Sequence, residues 1–410
     1  MRDITAQGLF FFPFCRKYAI MIRYDNLMKP TRWKLYNDAH DTWEAMIAAC
    51  EKAEHSIDLE QFIFVNDDIG KKIIEVCVRK AAQGVHVRFL WDAAGSFNLF
   101  GSGLATDLRK KGIDLVFFKT LIPGFFKVPD YRSWFFRDHR KTLLIDGRIG
   151  FTGGVGVWEK LRNWRDTHLE IEGPVVSDIQ AAFDAMWMRA THDKSKEEKS
   201  EHKKNRKLRK EMRRAEKRKI GKNGSEFSYI TNNPLPGKRR IYHALVDAIR
   251  GAHESVFIVT PYFVPTRRLS RVIRLAAHRG VDVRIVVPKA SDHPVVDIAA
   301  RSYFQSMLEA GVKIYLYEGN AEDSGMIHSK TAVIDGRWST LGTLNLDTIS
   351  LLYNFEANII STNREFSAEL SELFWSSLRR SDLLDRKEWE NRLFLLKTPE
   401  FVVKFIRKFL

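Results

Sequence analysis

Apolar positions along this chain alternate between two spacings, and the whole alternation occurs twice. Stretches at helical spacing, such as Ile73, Ile74, Val76 and Val78 or Leu269, Val272, Ile273 and Leu275, lead into Gly-Val turns. Short runs rich in Val and Ile follow, opening with Gly84-Val-His-Val-Arg88 and Gly280-Val-Asp-Val-Arg284, and these read as buried strands. Other matched pieces keep the same order. Ala53-Glu-His-Ser-Ile57 answers Ala252-His-Glu-Ser-Val256, and Gly112-Ile-Asp-Leu115 answers Gly311-Val-Lys-Ile314. Each half thus reads helix, strand, helix, strand, helix and then one further strand. Helices alternating with buried strands predict the α/β class, with two tandem α/β sandwich domains and a largely parallel or mixed sheet in each. A chain of 410 residues has room for two such domains, each with its own core.

The last strand of each half carries one phrase in two copies. The first is His139-Arg-Lys141-Thr-Leu-Leu-Ile-Asp146-Gly-Arg148, and the second is His328-Ser-Lys330-Thr-Ala-Val-Ile-Asp335-Gly-Arg337. Both run on to a small-residue pair, Gly153-Gly154 and Gly342-Thr343. Residues two apart on a strand share a face, so His139 should point with Lys141 and His328 with Lys330. A neutral imidazole can attack phosphorus, and an ammonium beside it can stabilise phosphoryl oxygens without a metal. Asp146 and Asp335 fall at the Asp-Gly turn on the other side of the pleat, which makes them turn-forming groups rather than proton carriers. Phosphodiester exchange through a covalent intermediate needs a nucleophile and an acid for the leaving oxygen. Two His-Lys pairs supply both if the halves pack about a pseudo-two-fold axis with the site at their interface.

A carboxylate follows each motif at a matched offset. Asp166 lies 27 residues after His139, and Glu356 lies 28 after His328. Each sits in an alternating polar-apolar segment, Asp166-His168-Glu170 and Asn354-Glu356-Asn358, as on a half-buried neighbouring strand. Such a carboxylate can accept a hydrogen bond from the ring nitrogen not used in chemistry and support the imidazolium that forms.

On these residues the chain resembles the phospholipase D superfamily and, within it, the bacterial cardiolipin synthases. Further strings carry the resemblance: Leu59-Glu-Gln-Phe-Ile-Phe64, Trp164-Arg-Asp-Thr-His168, Glu172-Gly-Pro174, Thr260-Pro-Tyr-Phe-Val-Pro265, Met326-Ile-His-Ser-Lys-Thr331 and Trp338-Ser-Thr-Leu-Gly-Thr-Leu-Asn-Leu-Asp347. The resemblance implies a metal-free, cofactor-free ping-pong transfer on phosphatidylglycerol. Its motif residues are His139, Lys141, Asp146, His328, Lys330 and Asp335, with His139 as nucleophile and His328 as acid and base. Asn345 matches the family's phosphate-contacting Asn, whereas the corresponding position of the first half is Gly156. That departure leaves a hydrolysing phospholipase D, or transfer to a different alcohol, as alternatives. A nucleic-acid phosphodiesterase on the same scaffold is less expected, and no nucleic-acid partner is anticipated.

The net charge of +16 is unevenly placed. Residues 193 to 222 hold 15 Lys or Arg against 6 Asp or Glu, with few apolar residues. This stretch reads either as a solvated linker or as a patch drawn to anionic lipid headgroups or nucleic-acid phosphates. Near the C-terminus, Thr398 and Pro399 can open a helix with Phe401, Val402, Phe405, Ile406, Phe409 and Leu410 on one face and Lys404, Arg407 and Lys408 on the other. It suits either the headgroup boundary or packing on the second domain. The phenylalanine-rich segments 9–14, 121–126 and 134–136 can line an acyl-chain path or pack as buried loops. Cys15, Cys50 and Cys77 lack metal or redox spacing, and Cys50 and Cys77 fit as small core residues. No secretory signal and no run of about 20 apolar residues is read. The expectation is a peripheral protein on the cytoplasmic face of a bacterial inner membrane, bound to an anionic surface, with its oligomeric state unread. The expected divisions are residues 35–190 and 226–390 for the two halves, 191–225 for a basic insertion and 391–410 for the amphipathic helix.

Overall fold

Two mixed sheets with the same strand order form the frame of the molecule. The computed structural model describes residues 30–119, 136–192, 226–234, 238–319 and 325–392. The basic insertion, the segment 398–410, Cys15, Trp134, Phe135 and the apolar stretches 9–14 and 121–126 lie outside those residues.

The first sheet contains β1 (Arg32–Tyr36), β2 (Ser56–Gln61), β3 (His86–Asp92), β4 (Ile113–Phe118), β5 (Thr142–Ile145), β6 (Ile149–Gly153) and β7 (His168–Glu172), in the order β1-β7-β6-β5-β2-β3-β4. Helix α1 (Ala39–Glu51) leads from β1 into β2, and strands β2, β3 and β4 pair in parallel through α2 (Asp68–Ala82) and α3 (Gly103–Lys110), whereas β5, β6 and β7 pair antiparallel. After β7 comes α4 (Val176–His192). Asp38, Asp67 and Ser102 cap α1, α2 and α3 by accepting a backbone N–H three residues on, which starts each helix where the apolar period begins.

The second sheet repeats this plan. It comprises β8 (Phe227–Asn232), β9 (Ser255–Val259), β11 (Asp282–Pro288), β12 (Lys313–Tyr317), β13 (Thr331–Ile334), β14 (Trp338–Gly342), β16 (Glu356–Ser361) and β17 (Ser381–Leu383). Its order is β17-β12-β11-β9-β13-β14-β16-β8, the first sheet's order with β17 added at one edge. Short strands β10 (Phe263–Val264) and β15 (Leu346–Asp347) pair separately. The helices are α5 (Arg240–Arg250), α6 (Arg267–His278), α7 (Pro294–Glu309), α8 (Thr348–Leu352), α9 (Arg364–Leu378) and α10 (Arg386–Glu390).

Each half has a core of its own, one around Trp43, Leu59, Phe64 and Trp91 and one around Ile241, Phe263, Ile285 and Ile314. Cys50 and Cys77 are buried in the first of these. A third core is common to both halves. Leu144, Leu169, Ile171, Ile179 and Phe183 pack there with Val333, Leu341, Ala357, Ile359 and Phe366. Beyond the core in each half, the inner faces of the two sheets, with α4 and α9, bury apolar surface against each other. Burial of side chains of this size stabilises by roughly 1.5–3 kcal/mol each, so the halves are held in one fixed relation. Edge strands β1 and β8 and the strands β4 and β12 also add to the element order read from the sequence.

Candidate active site

Strand β5 begins only at Thr142 and β13 only at Thr331, so each His-Lys pair stands in the extended run just ahead of its strand. The opposite half holds that run. His139 N–H donates to Phe355 O at 3.0 Å, and Phe355 N–H donates to Arg137 O at 2.9 Å. Symmetrically, His328 N–H donates to Arg165 O at 2.7 Å, and Arg165 N–H donates to Met326 O at 3.0 Å. Backbone N–H and C=O groups leaving a ladder need partners, and here the two halves satisfy one another.

The carboxylates cross in the same way. His139 Nδ1 lies 3.0 Å from Glu356 Oε2, and His328 Nδ1 lies 2.7 Å from Asp166 Oδ2. Facing a carboxylate, Nδ1 carries the proton in each ring, which leaves Nε2 as the nitrogen for chemistry. The matched offsets brought each carboxylate into view within its own half, but the structure places it on the other half's histidine. Sheet order gives the reason: β6 separates β5 from β7, and β14 separates β13 from β16, so each carboxylate stands two strands from its own half's motif.

The two carboxylates are housed differently. Glu356 Oε2 accepts from Thr343 Oγ1 at 2.5 Å, and Ser350 Oγ donates to Oε1. In the first half the residue matching Thr343 is Gly154, and a Cβ there would fall 2.0 Å from Asp166 Oδ1. Glycine is required at that point by the carboxylate beside it. The Gly-Gly versus Gly-Thr difference is visible in the sequence, but its meaning depends on a contact that spacing does not show.

Lys141 Nζ lies 3.4 Å from His139 Nε2, and Lys330 Nζ lies 2.9 and 3.0 Å from the two ring nitrogens of His328. Burial pushes both ammonium groups down, Lys141 to about 8 and Lys330 to about 7. His328 is lowered to about 4 by burial and then by Lys330, against the opposing pull of Asp166. His139 is lowered by burial, with Glu356 opposing and Lys141 and Lys330 adding to the shift. Burial works to raise Asp166, but Lys330 and His328 outweigh it and hold that carboxyl below its usual range. Each lysine also acts on the opposite half's histidine, so the four groups form one electrostatic cluster.

Asp146 and Asp335 stand outside this cluster, at the far ends of β5 and β13. Both adopt positive φ, 54° and 52°, ahead of Gly147 and Gly336, which are also at positive φ, in a type I′ turn. The Asp146 carboxylate accepts the backbone N–H groups of Glu54, His55 and Ser56, and Asp335 accepts those of His253, Glu254 and Ser255. Each pins the motif hairpin to the start of β2 or β9 and takes no part among the imidazoles. The family resemblance implies that both belong to the motif's catalytic set, whereas the structure gives them an anchoring position.

Asn345 is buried beside β15, and its side-chain oxygen meets no hydrogen-bond donor among the described residues. Gly156, its counterpart, touches Leu161 and Ile63, and a Cβ there would meet only ordinary contacts. Residues passed over in the sequence support the motif from behind. Arg140 bonds Glu60 and Asp138 in a buried network, and Ser329 Oγ accepts from Thr167 Oγ1 at 2.9 Å. The ring centre of Phe62 lies 4.9 Å from that of His139 in a T-shaped contact, and those of Trp164 and Tyr262 lie 5.2 and 6.2 Å from that of His328. Among the described residues no group of three or more His, Cys, Asp or Glu is arranged to hold a metal ion.

A family model described as cardiolipin synthase, PLD-like domain, matches residues 46–187 and 245–378. Cardiolipin synthase of Clostridium perfringens is 33% identical over 384 residues, covering 91% of this chain and 75% of that one. The chain belongs to the phospholipase D-like cardiolipin synthase family. Cardiolipin synthase of Geobacillus thermodenitrificans is similar at 32% identity over 377 residues, 90% of this chain and 70% of that one. The crystal structure of phosphatidylserine synthase from Haemophilus influenzae shares the fold, with a TM-score of 0.66 over 92% of each chain at 15% identity. As a member of the family, this chain is a phosphatidyltransferase of the phospholipase D superfamily and serves phospholipid biosynthesis.

Proposed function

We propose that this enzyme makes cardiolipin from phosphatidylglycerol by two displacements at one phosphorus. His139 Nε2 attacks the phosphatidyl phosphorus, forming a P–N bond as the P–O bond to the headgroup glycerol breaks. His328 gives its Nε2 proton to that departing oxygen. It then takes the proton of a hydroxyl on a second phosphatidylglycerol, whose oxygen displaces His139. Lys141 and Lys330 grip the phosphoryl oxygens, and the Asn345 carboxamide adds a third contact. Glu356 and Asp166 stabilise the imidazolium forms that arise at His139 and His328. The bound phosphodiester is anionic, so it opposes Lys330 and raises His328 toward the acid it must become.

The observation that carries this reading is the pair of imidazoles, each anchored at Nδ1 by the opposite half and each beside an ammonium group. Residues 35–190 and 226–390 are the two halves that meet at this site, joined by the basic insertion 191–225. No helix among the described residues is long and apolar enough to cross a membrane. We place the enzyme peripherally on the cytoplasmic face of the inner membrane, drawn to anionic lipid through the basic insertion and the segment 391–410.

Purified full-length protein on phosphatidylglycerol vesicles should yield cardiolipin and free glycerol in equal amounts, and EDTA should leave the rate unchanged. Phosphatidic acid as the sole lipid product would make the protein a hydrolase. Loss of turnover in EDTA, restored by a divalent ion, would refute the metal-free scheme.

The pH profile follows from the same groups. As pH rises through about 7 to 8, Lys330 and Lys141 lose the protons that let them hold the phosphate. As pH falls below the usual imidazole range, His139 gains a proton and loses its lone pair. The kcat/KM profile should therefore be bell-shaped. In Lys330→Arg, whose guanidinium stays charged, the alkaline limb should move to higher pH. An alkaline limb unmoved in that variant would contradict the assignment.

A further inference from the structure

Two half-sites of matching plan act on a lipid whose ends differ, so the side chains that break the match are the ones able to tell those ends apart. The strand equivalences align Phe62-Ile63 after β2 with Pro261-Tyr262 after β9, and Ser96 after β3 with Asp292 after β11.

Around His139 the positions matching Pro261 and Tyr262 are the apolar Phe62 and Ile63. The Phe62 ring makes a T-shaped contact with the imidazole, and Ile63 and Leu161 flank Gly156. Ser96 is buried and spent on backbone, accepting from Phe64 N–H and donating to Phe62 O. Around His328 the matching side chains Tyr262 and Asp292 are polar. Tyr262 donates its hydroxyl to Asp292 Oδ1 at 2.7 Å while its ring stands near His328. The Asp292 side chain remains 26% exposed, with His293 Nε2 at 3.5 Å from its other oxygen. Tyr262 links Asp292 to His328, its ring centre 6.2 Å from the imidazole and its hydroxyl on the carboxylate, so Asp292 stands at the rim of the same site.

In an in-line displacement the leaving alcohol departs on the side of its acid and the nucleophile enters opposite. With His328 as the acid, the polar rim lies where the alcohol must be. A carboxylate accepts hydrogen bonds from hydroxyls, and a vicinal diol offers two. An ammonium headgroup meets repulsion from Lys141 and Lys330 as well as attraction from the carboxylate, whereas a diol meets the hydrogen bonds alone.

We propose that Asp292, oriented by Tyr262, forms the alcohol subsite of this enzyme, taking the hydroxyls of a polyol headgroup as it leaves and as its acceptor arrives. The proposal rests on the reading of His328 as acid and base. It assigns the residue that makes the site prefer a diol headgroup over an alkyl one.

The test compares phosphatidylglycerol, phosphatidylethanol and phosphatidylethanolamine as donors in vesicles, using wild-type protein, Asp292→Asn and Tyr262→Phe. Wild type should favour phosphatidylglycerol. In Asp292→Asn the ratio of kcat/KM for phosphatidylglycerol to that for phosphatidylethanol should fall by about 10- to 100-fold, the worth of one charge-assisted hydrogen bond. Tyr262→Phe should move it the same way by less. Equal loss on both donors, or no change in the ratio, would overturn the subsite. A selective loss on phosphatidylethanolamine would overturn the diol assignment. Wild type that only hydrolyses would sink the cardiolipin reading while leaving the donor ratio readable. Wild type inert on all three lipids would overturn both.

Discussion

His139→Ala is expected to stop phosphatidyl transfer, with a loss of about 10⁶-fold in kcat, and His328→Ala to lose at least about 10⁴-fold. The two differ in what is removed. Without His139 no covalent intermediate forms, whereas without His328 the nucleophile survives but the glycerol oxygen must leave without a proton. Groups that act on one transition state are not additive. The double variant should therefore be little worse than His139→Ala alone. Two independent sites on one chain would behave differently, since each single variant would keep about half the wild-type rate. Both side chains are largely enclosed, 13% and 11% exposed, and make no large apolar contribution, so folding should survive either change. Lipid product analysis with a far-ultraviolet circular dichroism control checks the prediction.

The second large effect concerns the crossed carboxylates. Asp166→Asn and Glu356→Gln keep the shape of each side chain but remove the charge that supports the imidazolium, and each should cost about 10³- to 10⁴-fold in kcat. The crossing makes the consequence specific. Asp166 raises His328, so its loss should lower the His328 pKa further and shift the ring resonances of His328 rather than those of His139. Glu356→Gln should act on His139 instead. Nitrogen-15 spectra of the imidazoles in the two variants read this directly. A perturbation of His139 by Asp166→Asn would place the carboxylate back in its own half.

How much of this was open to reading depends on range in the chain. The two motifs were legible because two-residue spacing along an extended backbone fixes which side chains point together, and His139-Lys141 and His328-Lys330 keep that relation even ahead of their strands. The Asp-Gly turns were legible for the same local reason, including the anchoring position of Asp146 and Asp335. Which carboxylate serves which histidine was not legible. Offsets of 27 and 28 residues fit either pairing until the order β5-β6-β7 is known, and sheet order is a property of the packed molecule. Edge strand β1 escaped because only Tyr36 of its five residues is buried, which leaves little hydrophobic signal. The third core escaped because Leu144, Ile179, Ile359 and Phe366 look like ordinary interior residues of their own halves. The asymmetry at Asp292 and Tyr262 appears only once the two halves are matched strand by strand.

The central claim is that imidazoles from both halves share one phosphorus, with His139 taking the phosphatidyl group. Alkaline quenching of wild-type protein during turnover of phosphatidylglycerol, followed by peptide mass mapping, tests it most directly. A phosphatidyl adduct on the peptide containing His139, absent from His139→Ala, is the predicted result. An adduct on His328, or full turnover in wild type with neither histidine modified at any quench time, would contradict it.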